Sequence, residues 1–160
     1  MTIPPAAPRS TGVPGRVLAT LGALAVLLAT AFVVAPPVLA GRPGGGFADR
    51  RHLSEALRGA FVGYWRSGDP DLSPALTRVV DYWLRYHLAK AVIAALLLAV
   101  LVALGIRLGR AFRRDGGPGA GRRGALASAG IVVTVLASFS LALVMANVQG
   151  AVAPFASLLP

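Results

Sequence analysis

"DYWLRYHLAKAVIAALLLAVLVALGIRLGRAFRR", residues 81–114, contains a charge-free core from Ala91 to Ile106. As a helix that core covers about 24 Å, and Leu88, Leu108 and the snorkelling stems of Lys90 and Arg107 extend it towards the thickness of a bilayer. Residues 88–109 therefore read as a transmembrane helix. Upstream, Ser73 can cap the helix and Pro74 suits its first position, where a missing N–H costs nothing. No breaker follows until past Phe112, so one helix of about 39 residues, about 58 Å long, is expected, longer than the membrane is thick.

The part that projects carries Tyr82, Trp83 and Tyr86, placed for the headgroup zone where amphipathic rings collect. Asp81 and Arg85 stand four apart and can pair, worth a few tenths of a kcal/mol. Before them, residues 41–87 form the one sizeable polar region, an extracytoplasmic helical segment opening on the linker "GRPGGG". Leu53, Leu57, Phe61 and Tyr64 recur at helical spacing, with Ala56, Ala60 and Trp65 widening the stripe and Arg51, Glu55, Arg58 and Arg66 largely away from it. Gly68 and Pro70 should stop that helix.

A first transmembrane helix is read over residues 17–40, preceded by a proline-rich tail, 1–16, with too little to bury and an expectation of disorder. Pro36 and Pro37 should end its helix. The same stretch also has the outline of a cleavable signal, with Arg16 before an apolar core and small residues in "VLAG", 38–41. Its apolar length exceeds that of a usual signal, which favours retention.

Downstream, residues 110–123 read as an arginine-rich cytoplasmic loop. Together with Arg107 it supplies Arg110, Arg113, Arg114, Arg122 and Arg123, placed to set topology and to attract anionic headgroups. A third transmembrane helix, 124–148, follows without charge; Gln149, Gly150 and Pro154 should break it, leaving residues 149–160 as an apolar tail. The ending "LALVMANVQGAVAPFASLLP" after an arginine-rich loop resembles small uncharacterised integral membrane proteins of high-GC Gram-positive bacteria. That resemblance covers mainly the third span and tail, and implies a bacterial membrane protein without assigning any residue a role. The expected architecture is all-α, with three transmembrane helices and one extracytoplasmic helical segment. The expected location is the cell membrane, with the N-terminus cytoplasmic and the C-terminus extracytoplasmic.

Composition narrows the chemistry. The 160 residues are 56% hydrophobic with a net charge of +10, and the basic residues flank apolar spans instead of lining one soluble face, so lipid is a better partner for them than nucleic acid. The chain has no cysteine, which removes disulfides, thiolate metal sites and thiol nucleophiles. His52, His87 and six carboxylates lie outside the apolar spans and form no convincing catalytic or metal-binding group; His87, near Asp81, Tyr86 and Lys90, reads best as solvated. "GAGRRG", 119–124, has the glycine spacing of a dinucleotide site but lacks the preceding strand and the later acid, so it reads as loop. No cofactor, metal or catalytic residue is assigned, and the chain is expected not to be an enzyme.

Small residues at four-residue spacing give the clearest interaction signal. Ala91, Ala95, Ala99 and Ala103 in the second span, and Gly130, Thr134, Ser138, Ala142 and Ala146 in the third, form ridges along which helices can approach closely. They predict an antiparallel pair. The expected role is a non-catalytic accessory or assembly partner of other membrane components, in contact with the bilayer, anionic headgroups and another membrane protein. A pore or transporter subunit with Thr134, Ser138 and Asn147 along its lining is the competing reading, and a membrane-interface enzyme the third.

Overall fold

The computed structural model describes residues 15–41, 47, 50–114 and 120–153. They form four helices, α1 (Gly15–Ala40), α2 (Arg50–Ser67), α3 (Pro74–Arg114) and α4 (Ala120–Val152), with no strand among the described residues. α1, α3 and α4 are each long and apolar enough to cross a membrane; α2 is the shorter fourth. Residues 1–14 of the proline-rich tail, 42–46 of the "GRPGGG" linker and 154–160 of the C-terminal tail lie outside the described residues, while Gly15 and Arg16, expected in the tail, begin α1.

α3 is the axis of the molecule, and α1, α2 and α4 all pack along it. It starts as expected: Ser73 Oγ accepts from the Leu76 N–H at 3.3 Å and the Ser73 carbonyl from the Thr77 N–H at 2.9 Å. It then runs unbroken to Arg114. α2 ends at Ser67, where Gly68 takes φ 63°, a left-handed cap that glycine adopts without steric cost.

Three expected boundaries move outward. α1 continues through Pro36 and Pro37 to Ala40. Proline removes a donor but keeps a helical φ, and so late in the helix packing outweighs the lost bonds. Pro36 and Ala40 are buried, and the Gly41 N–H reaches the Pro37 carbonyl at 3.1 Å. α4 continues through Gln149 and Gly150, with the Ala153 N–H bonded to the Gln149 carbonyl at 3.0 Å. The arginine-rich loop is mostly helix: Arg107, Arg110, Arg113 and Arg114 occupy the last turns of α3, and Arg122 and Arg123 the start of α4. Residues 115–119 between them lie outside the described residues. The Arg123 guanidinium lies 5.3 Å from the Phe112 ring centroid, linking the two helix ends.

Two apolar clusters divide the molecule by height. Leu101, Leu108 and Val133 form one, joined by Leu18, Ala25 and Leu126 at its edge. Ala40, Leu53, Leu57, Leu76, Val79, Tyr82 and Trp83 form the other, where α2 and the start of α3 meet the end of α1. Arg16, Arg107 and Arg123 adjoin the first cluster in sequence and stand at one end of the three long apolar helices. About twenty helical residues further, about 30 Å and so the length of a hydrocarbon core, lie Pro36, His87 and Leu143. Lys90 fits this level. Helical side chains lean towards the N-terminus, and its Nζ lies 4.9 Å from the ring centroids of both Phe32 and Tyr86.

Candidate functional site

At the boundary away from the arginines, α3 and α4 are joined by a polar clasp. Trp83 and His87 share a face of α3 because they are four residues apart. Asn147 and Gly150, three apart, do the same on α4. The Trp83 indole N–H donates to the Gly150 carbonyl at 2.9 Å. That carbonyl would ordinarily accept from residue 154, but Pro154 has no N–H, so the indole supplies the missing donor.

His87 Nδ1 lies 3.1 Å from Asn147 Oδ1, while Asn147 Nδ2 donates to the Leu143 carbonyl at 2.7 Å. Because the amide N–H is directed at its own helix, Oδ1 is left to accept, and Nδ1 carries the hydrogen. The imidazole is wedged between Trp83, at 4.4 Å between ring centroids, and the backbone of Gly150. A methyl group on Gly150 would stand 2.8 Å from both Nδ1 and Cε1 of His87. His87 is therefore a bonded inter-helix residue and not the solvated histidine expected.

The three aromatics expected at the lipid interface face protein. Tyr82 and Trp83 are buried, Phe47 packs edge-on to Tyr82 at 4.9 Å, and Tyr86 stacks beside Tyr82 at 6.2 Å. Burial, and then the neighbouring Tyr86 phenol, push the Tyr82 phenol above its ordinary range, so it stays neutral. Asp81 and Arg85 pair at 3.5 Å as the spacing suggested. Among the described residues no three His, Asp or Glu side chains gather in a way that could hold a metal ion.

The small-residue ridges fare unevenly. Ala91 is buried and Ala103 half-buried, but Ala95 and Ala99 are exposed. On α4 Gly130 is half-buried, whereas Thr134, Ser138, Ala142 and Ala146 are all exposed. The face of α4 that packs on α3 carries Val133, Ala137, Ser140 and Asn147, a neighbouring stripe of the same helix. Thr134 Oγ1 and Ser138 Oγ donate to the Gly130 and Thr134 carbonyls at 2.9 and 3.0 Å. With Asn147 turned towards His87, the three residues of the pore reading do not converge within one chain. An apolar cleft of about 210 Å³ separates α1 from α4 above Leu97 and Leu101, and Ser140 inside it is bonded back to the Leu136 carbonyl at 2.9 Å.

The second candidate surface is on α2. Leu53 and Leu57 are buried, with Ala56, Ala60 and Tyr64 beside them. Trp65 departs from this stripe: it is 77% exposed, stacked on Phe61 at 6.4 Å, and forms with Phe61, Val62 and Arg66 an open groove of about 340 Å³. Sequence periodicity missed this second apolar face because Phe61 and Trp65 lie on the shoulder of the inward stripe, where a helical wheel cannot tell core from surface. Compared with known proteins, the sequence matches no protein family, and no curated protein or solved structure is significantly similar to it.

Proposed function

We propose that this membrane protein is a non-catalytic assembly partner of other membrane components. The observation that carries this reading is the open apolar face of α2, on which Val62 and Trp65 are exposed although the same helix already buries Leu53 and Leu57 against the rest of the chain. A helix with one buried face and a second, exposed apolar face bordered by arginine suits a protein that meets another protein. The spans serve to hold that face at the membrane, and the clasp at His87 fixes α4 against α3, the helix on which α2 packs.

Gentle solubilisation of native membranes, affinity purification of the full chain and native mass spectrometry test the reading. A stable complex with a different membrane protein is expected. A chain that purifies only with copies of itself would overturn the proposal in favour of a pore-like oligomer.

A further inference from the structure

We propose that the outward face of α2 docks an acidic helical segment of another protein; this rests on the assembly reading above and names the partner's chemistry. The apolar centre of the face is Val62 and Trp65, flanked by Phe61. Arg58 and Arg66 stand beside it and Arg51 lies about three turns back along the same face, all exposed, with Glu55 the one acid on that side of the helix. Two copies of the face would oppose arginine to arginine, which disfavours self-pairing, while an acidic partner would complement the rim.

The backbone supports a close neighbour. Gly59 and Gly63, one turn apart, are exposed, and a Cβ added at either would meet nothing within 4 Å. No packing among the described residues calls for glycine there, although each mid-helix glycine destabilises α2 relative to alanine. Removal of two side chains beside Val62 lets a second helix approach its backbone.

Height separates protein from lipid as the occupant. Phe47, just before α2, packs on Tyr82, and after α2 the chain turns at Gly68 to begin α3 at Pro74, so α2 runs back along the start of α3. Pro74 stands about 20 Å beyond His87, whereas the headgroup layer is about 5–8 Å deep. Val62 and Trp65 lie on the last turns of α2, towards that tip, in the aqueous compartment.

A photo-crosslinking amino acid at Val62 in the full chain, activated in native membranes, tests the proposal, with Thr134 on the back of α4 as a second probe site. The expected result is a protein adduct from Val62 whose crosslinked peptide is net acidic. Its yield should fall at least about tenfold in R58E/R66E and in W65A, and should fall with added salt for the unsubstituted chain. These exposed substitutions should leave the melting temperature in detergent unchanged, which keeps lost docking distinct from lost folding. Adducts with a second copy of the chain, with lipid, with a peptide lacking net negative charge, or insensitivity to the arginine reversals would each overturn the proposal. A partner that co-purifies but crosslinks only from Thr134 would sink it while leaving the assembly reading intact. Absence of any partner would sink both.

Discussion

At Gly150 the fit between α3 and α4 leaves no room for a side chain. Its missing side chain makes room for His87, and its carbonyl receives the Trp83 indole. Gly150→Ala should therefore force the imidazole away from Asn147, at a cost of about 1–3 kcal/mol as for other overpacked sites. Gly22→Ala, in a helix interior with open space around the glycine, should instead be neutral or stabilise by up to about 1 kcal/mol. Thermal unfolding of both variants in the same detergent checks this; equal melting temperatures would refute the wedge. Part of this site was legible in the sequence. Pro154 announces a carbonyl at position 150 without its helical donor, and Trp83 is among the few side chains able to supply one. What could not be read was that residues 67 apart in sequence stand side by side, because local pattern carries no information about the height at which two spans are registered.

At the scale of the element, α4 shows how far composition can guide packing inside a membrane. The antiparallel pairing of α3 and α4 follows from two spans joined by a short connection, and it is present. The face was not legible, since lipid is as apolar as leucine, and a span lacks the polar–apolar contrast that marks the buried side of a helix in water. With alanine, serine and glycine spread around α4, several four-residue ladders satisfy the same rule. The structure chooses the ladder through Ser140 and Asn147, and the reason is polar: Asn147 meets His87 there. Ala94→Leu, which overpacks a position 0% exposed, and Asn147→Leu, which removes the partner of His87, should each destabilise the fold by about 1–3 kcal/mol. Ala99→Leu and Ser138→Leu, on exposed positions, should change it by less than about 0.5 kcal/mol. Unfolding by denaturant in mixed micelles compares the four, and a larger effect at Ala99 or Ser138 would put the packing face elsewhere. α2 and α3, by contrast, were largely legible, because the aqueous segment retains ordinary amphipathic contrast and Ser73, Pro74 and Gly68 punctuate its ends.

At the scale of the whole molecule, orientation is expected to follow how basic residues are placed at the two ends of the long helices. A raw count is even: Arg9, Arg16 and the six arginines from Arg107 to Arg123 make eight, against eight basic residues between Gly41 and Lys90. Residues near span ends and in short connections weigh most in orientation, and within about fifteen residues of each end the balance becomes eight against six. The fold sharpens this difference. Arg107 and Arg123 flank the ends at which α3 leads into α4, with Arg110, Arg113, Arg114 and Arg122 within two turns, whereas α2 carries Arg58 and Arg66 towards the hairpin tip. Each arginine held near an anionic surface adds about 1 kcal/mol of attraction, which needs no nucleic acid. The N-terminus and the arginine cluster should accordingly lie on the cytoplasmic side, and α2 and the C-terminus outside. Because the chain has no cysteine, single cysteines at Gly117, Ser67 and Ser157 can each report one compartment to an impermeant thiol reagent on intact cells. Positions 67 and 157 should label and position 117 should label only after the membrane is permeabilised; the reverse pattern would invert the topology and place the α2 face in the cytoplasm.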